Sequence, residues 1–234
     1  MATRKVPFVK GEYYHIYSRG NSKQKIFLDE TDYNHFIKCL FVCNSKNNFK
    51  FRDDIVEVGI DAFDFERGNH VVSIGAWVLM PNHFHIYITI NPHMSDMWGE
   101  KNAISEFMRK LLTAYVKYFN EKYKRTGSLF EGPFKSTHLK TDNQAKYLFS
   151  YIHLNPIRLL DPKWKENGIK DIKKSLEFLT KYSWSSYKDH TGENRKENKI
   201  LDLKAFPKYF FNIKDFNTDI LDWLKYKNDS DKKF

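Results

Sequence analysis

The chain has 234 residues, enough for one large domain or one domain with an appendage. With 41% hydrophobic and 17% aromatic residues, global disorder is excluded. The longest apolar stretch, Ile74 to Met80, falls far short of the ~20 residues that span a bilayer, so no membrane helix is expected. Lys and Arg number 39 against 29 Asp and Glu, a net charge of +10.

In chain order, residues 12–18 (EYYHIYS) read as a first strand, and Arg19-Gly20-Asn21 turns the chain. Residues 29–43 read as a helix, opened by acidic side chains and carrying Phe36, Ile37, Leu40 and Phe41 at helical spacing. Residues 44–70 have no clean period and read as a surface insertion, with a short strand over Ile55–Ile60. Residues 71–79 read as a central strand, Met80-Pro81-Asn82 as a turn, and residues 83–90 (HFHIYITI) as an antiparallel second strand. Residues 91–101 read as a loop. Residues 103–123 give the best amphipathic helix, with Phe107, Leu111, Leu112, Tyr115 and Phe119 on one stripe. A strand over 134–139 follows, then a helix capped by Thr141 or Asp142 and running towards Pro156. Beyond a basic linker, 175–188 and 200–226 contain helical segments, and the polar tail 228–234 packs weakly.

The order predicts an α+β fold: a ferredoxin-like βαββαβ core, helices on one face of an antiparallel sheet, and a helical C-terminal extension. Residues 1–160 make the catalytic domain and 161–234 the extension.

Charge is unevenly placed. Residues 1–28 carry a net +5, residues 101–140 a net +6, and residues 51–70 a net −4. Two basic segments with interleaved aromatics point to a polyanion partner. Cys39 and Cys43 share a helix face, where a disulfide is geometrically poor; they read as thiols in a reducing compartment. No apolar leader is visible at the N-terminus, so a cytoplasmic, nucleoid-associated protein is expected.

His83 and His85 are two apart on a strand, so both imidazoles point to one face and Phe84 to the other. Two neutral imidazoles suit a divalent metal. Tyr151 and Asn155 share a helical face; the Asn carbonyl oxygen can serve as a further ligand, and a phenol beside a cation gains phenolate character. Pro156 biases Asn155 away from helix, which places it at a kink or the helix end.

The sequence resembles the single-tyrosine HUH transposases of the insertion-sequence type, most closely their REP-associated branch. The resemblance lies in YYHIYSRGNSKQKIF (13–27), WVLMPNHFHIYITI (77–90), FMRKLLTAYVKYFNEKYKRTGSLFEGPFKS (107–136) and YLFSYIHLNPIRL (147–159). It implies a ferredoxin-like fold and a divalent ion, Mg or Mn, on His83 and His85. It further implies Asn155 as polar third ligand and Tyr151 as the nucleophile that forms a 5′-phosphotyrosine link with single-stranded DNA. The implied partner is single-stranded or hairpin DNA, and a homodimer is one implied assembly. Where the family usually has Trp and Arg, this chain has Phe130 and Pro133, which removes one expected DNA contact. Trp184-Ser185-Ser186-Tyr187 is similar to a short downstream motif of the REP-associated branch.

Arg19, Asn21, Lys23, Arg109, Lys117, Lys124, Arg125, Lys135 and Arg158 are the candidate DNA contacts. Phosphate contacts of this kind carry affinity rather than sequence preference. His15 reads as structural or DNA-proximal, Glu131 as a candidate for metal or water activation, and Phe130 and Phe134 as core. Tyr115, Tyr118 and Tyr123 compete with Tyr151 for the nucleophile, but Tyr115 falls on the apolar stripe. The expected activity is DNA strand transfer. The alternative is a domesticated or inactive module that binds DNA hairpins without cutting.

Overall fold

A computed structural model describes residues 7–94 and 102–207, together with Phe216, Thr218, Ile220 and Asp222. Trp223 and the tail 228–234 lie outside the described residues.

Four strands, β1 (Tyr13–Arg19), β2 (Val72–Met80), β3 (His83–Ile90) and β4 (Lys135–Leu139), form one antiparallel sheet in the order β2-β3-β1-β4. Helix α1 (Glu30–Val42) connects β1 to β2, and α2 (Ala103–Lys122) connects β3 to β4. This is the predicted βαββαβ unit. Asp29 opens α1 with a reciprocal capping box: its side chain accepts from the Asp32 N–H, and Asp32 accepts from the Asp29 N–H.

Alternation along the strands assigns the two faces. Tyr14, Ile16, Phe84, Ile86 and Ile88 point to one side, where they pack with Phe36 and Leu40 of α1 and Phe107, Leu111 and Tyr115 of α2. The expectation of helices on one face holds for these two. Helix α3 (Asp142–Leu154), which follows β4, packs on the other face against Ala76, Val78, Met80 and Tyr87. That is also the face of His83 and His85.

β2 is an edge strand, although its sequence reads as central. The segment beyond residue 160 explains the difference. The Leu79 N–H donates to Trp184 O at 2.8 Å, the Ser186 N–H donates to Trp77 O at 2.9 Å, and the Asp202 N–H donates to Ile74 O at 3.0 Å. Ser185 bridges to Val78 across the same edge. The strand is thus buried throughout and its edge is covered. A bulge at Gly75 fits this close approach, since a Cβ there would sit 3.0 Å from the Phe206 ring. Short helices α4 (Trp164–Asn167), α5 (Ile172–Lys181) and α6 (Tyr187–His190) complete this layer.

The segment 44–70 departs from its reading. No strand forms over Ile55–Ile60; Arg52–Val56 is a single π-helical turn. Nor is the segment wholly superficial, because Ile55 and Phe63 are buried in the core of α1 and α2. The Asn44 side chain ties its start to β2, donating to Val72 O at 2.8 Å and accepting from the Val71 and Val72 N–H groups.

Candidate active site

The Pro81-Asn82 turn between β2 and β3 anchors the loop after β1. Pro81 O accepts from the Ile26 N–H at 2.8 Å, Asn82 O from the Gly20 N–H at 2.8 Å, and Asn82 Nδ2 donates to Lys23 O. Gly20 is required here, since a Cβ would stand 2.2 Å from Gln24 O. The loop brings Lys23 and Lys25 to the mouth of a cleft of about 690 Å3. Its lining includes Arg19, His83, His85, Lys135, Tyr151 and Arg158.

His83 is half-buried and His85 is buried. The His83 Nδ1 lies 2.6 Å from Asn82 Oδ1, which only accepts, so Nδ1 carries the proton and the Nε2 lone pair is left for the cleft. The His85 Nδ1 lies 2.8 Å from His15 Nε2 on β1. Its own Nε2 is buried with no hydrogen-bond partner. Burial, helped by the Arg158 charge, pushes His83 down to about 4; burial lowers His85 well below the ordinary imidazole value. Both rings are neutral at physiological pH.

Helix α3 starts at Thr141, whose hydroxyl accepts from the Gln144 N–H. Leu148 and Ile152 bury one face, leaving Tyr151 half-buried at the cleft, its ring edge-to-face with His85 at 5.3 Å. Pro156 ends α3 as expected, but Asn155 keeps helical backbone angles and the chain continues as a 3-10 turn over Asn155–Leu159. The turn holds Asn155 inside, 2% exposed, with its side chain against both His83 and Tyr151. Its Oδ1 finds no hydrogen-bond partner. Burial raises the Tyr151 phenol, while Asn155 and the Arg158 charge pull it the other way.

A divalent cation fits this donor set. His85 Nε2 and Asn155 Oδ1 are buried and unpaired, at about 1–3 kcal/mol each. An imidazole nitrogen and an amide oxygen suit one borderline-to-hard ion. Among the described residues there is no cluster of three His, Cys, Asp or Glu side chains placed to hold a metal; the Asn155 amide is the further oxygen beside the two imidazoles.

The structure gathers some candidate DNA contacts and separates others. Arg19, Lys23, Lys135 and Arg158 line the cleft, and Asn21 stands in the same loop as Lys23. Arg109, Lys117, Lys124 and Arg125 do not line it: they belong to α2 or its exit, and α2 covers the opposite face of the sheet. Arg109 pairs with Glu106 at 2.8 Å and Arg125 lies over the Phe119 ring at 5.4 Å. Their charge enriched the sequence segment without enriching the site, because chain proximity says nothing about which face a helix covers.

Glu131 lines the cleft and pairs with Arg19 at 3.4 Å. Phe130 is buried against Phe84, and Pro133 reaches the cleft wall. Tyr115 is fully buried and donates its hydroxyl to Ile26 O. Tyr118 and Tyr123 donate to Asp32 on the same side.

Two basic residues escaped the sequence reading, Lys25 in the cleft lining and Lys165 outside it, on the Tyr151 ring. Lys25 stands within the resembling segment and could have been found there. Lys165 of α4 lies in what reads as a basic linker, where nothing distinguishes it from neighbouring lysines. Its ammonium stands 3.7 Å from the centre of the Tyr151 ring. Loss of water and the Arg158 charge push it down to about 8.

No protein-family model and no curated protein matches the chain. Several solved structures are similar to it, two of them as follows. One is a REP-associated tyrosine transposase bound to a REP hairpin, at 14% identity and a TM-score of 0.46, covering 89% of this chain and 98% of that one. The other is a candidate transposase from Deinococcus radiodurans R1, at 14% identity and a TM-score of 0.32, covering 63% of this chain and 92% of that one.

Proposed function

We propose that this chain is a metal-dependent DNA strand transferase, a transposase-type enzyme that cleaves and rejoins single-stranded or hairpin DNA through Tyr151. The observation that carries the reading is the meeting of Tyr151, His83 and His85 at one basic cleft, from β3 and α3, with Asn155 of the following turn buried against His83 and Tyr151. Lys23, Lys25, Lys135 and Arg158 bind the phosphates of an incoming strand there. An unpaired strand can thread the cleft and expose a phosphate to the phenol. Mg or Mn held by His83, His85 and Asn155 would supply Lewis-acid polarisation of a phosphate oxygen.

Tyr151 Oη attacks phosphorus; the Oη–P bond forms as the P–O3′ bond breaks. The phenol proton passes to water and the departing O3′ takes one up. A free 3′-hydroxyl reverses the step, so rejoining requires no nucleotide cofactor. Half-burial holds Tyr151 neutral before attack and limits access of water to the covalent link.

Tyr151 stands beside His85 of its own chain, which supports a site built within one chain. The alternative of a hairpin-binding module that does not cut leaves the alignment of Tyr151 with two neutral imidazoles without a purpose. Incubation with labelled hairpin oligonucleotides bearing single-stranded flanks, with and without Mn, separates the two. A covalent adduct on a denaturing gel supports the enzyme; tight binding with no adduct supports the module.

A further inference from the structure

Lys165 is the one cation found directly on the face of the candidate nucleophile among the contacts of the described residues. It comes from outside the βαββαβ unit. Trp164 beside it is buried in the layer with Leu148, Ile152 and Ile157, so α4 is tied to the same packing that holds α3. The backbone of Lys165 is therefore fixed, while its side chain keeps contact with solvent and reaches over the ring. The contacts around the ring differ by side. One side meets the His85 imidazole at 5.3 Å; Tyr147 stacks nearly parallel at 6.2 Å and 8°; the ammonium sits at 3.7 Å from the centre.

We propose that Lys165 is a positioning residue for Tyr151: it clamps the ring by a cation–π contact and so holds the phenol in its orientation for attack. This rests on the function proposed above. An ammonium held over a partly desolvated phenol ring is attracted to its face and biases ring orientation. Aligning a nucleophile within reach of its target is one of the larger sources of rate acceleration. The 3.7 Å is measured to the ring centre, and no hydrogen bond joins Nζ to the phenol oxygen. Lys165 is accordingly not assigned as the base.

Two variants separate charge from bulk: Lys165→Met keeps an unbranched apolar stem, and Lys165→Arg keeps a cation able to stack. The first measurement needs no DNA. In protein labelled with 13C at the tyrosine ring, the Tyr151 signal is assigned by its loss in Tyr151→Phe. It should shift in Lys165→Met and stay near its wild-type position in Lys165→Arg. An unmoved signal in Lys165→Met overturns the clamp, whether or not the chain cuts DNA. The second measurement uses a pool of 5′-labelled hairpin oligonucleotides with random single-stranded flanks, in Mn. Lys165→Met should slow single-turnover adduct formation about tenfold while changing DNA affinity by less than about threefold, with Lys165→Arg restoring most of the rate. A wild-type rate in Lys165→Met overturns the inference and leaves the proposed function standing. A wild-type chain that forms no adduct, with a Tyr151 signal that still shifts in Lys165→Met, overturns the proposed function and the rate role while the contact stands.

Discussion

His15 Nε2 lies 2.8 Å from His85 Nδ1, diagonally across the β1–β3 ladder. This contact orients the His85 ring and leaves its Nε2 aimed into the cleft. A ligating imidazole is commonly fixed through its other nitrogen, and in the proposed site His15 would be that partner for His85. Asn82 does the same for His83 at 2.6 Å. Replacing His83 or His85 with Ala should abolish Mn binding by calorimetry. His15→Phe should weaken it, by about tenfold or more, without removing a ligand. Unchanged Mn affinity in both single Ala variants would remove the ligand assignment.

The nucleophile is tested by removal of one oxygen. Tyr151→Phe should keep fold, Mn binding and DNA binding but give no covalent adduct on a denaturing gel. Tyr115→Phe should still form the adduct, because Tyr115 is buried on the far side of the sheet with its hydroxyl on Ile26 O. It should instead lose stability, by about 1 kcal/mol for the hydrogen bond, read by urea denaturation.

DNA affinity should divide by face. Lys25→Glu and Arg158→Glu, in the cleft, should weaken binding to a single-stranded hairpin flank and lower the salt slope by about one each. Arg109→Glu and Lys117→Glu, on α2, should leave both nearly unchanged. Equal losses at both sets would place the nucleic acid across α2 instead.

Stability should fall as pH drops below the ordinary histidine range. Burial lowers His15 to about 3 and His35, His83 and His190 to about 4, and it lowers His153 well below its ordinary value. A chain unfolding between pH ~6.5 and ~4 takes up protons that the folded state refuses, so stability rises with pH across that window. The contribution is present in full above about pH 6.5 and is lost as pH approaches 4. The urea midpoint should therefore decrease from pH 7 to pH 5, and His190→Gln should flatten the decrease. A midpoint independent of pH over that range would contradict the buried neutral histidines.

Truncation after residue 160 should yield an aggregating chain rather than a stable catalytic core. It would expose the edge of β2 that Trp184, Ser186 and Asp202 cover, and remove the Tyr182 hydroxyl from Leu79 O. A soluble fragment with cooperative melting would show that the extension is dispensable for folding.

Much of this arrangement is legible in the chain. The alternation of HFHIYITI puts both histidines on one face, the apolar stripe puts Tyr115 in the core, and Pro156 stops α3 after Leu154. These are local properties, set by period, propensity and the missing N–H of proline. Which lysines reach the cleft is not local. The same sequence density of charge on α2 and in the loop after β1 ends on opposite faces, because α2 must bury Phe107, Leu111 and Phe119 against the sheet. Nor does the apolar run of β2 reveal that it is an edge strand, since burial by a distant segment and burial by a neighbouring strand leave the same pattern. Lys165 is the plainest case. Its neighbours in sequence give it no distinction, and only the packing of Trp164 against the layer of α3 brings its charge onto the Tyr151 ring. Periodicity is written residue by residue; a site made of separate segments depends on which buried surfaces meet.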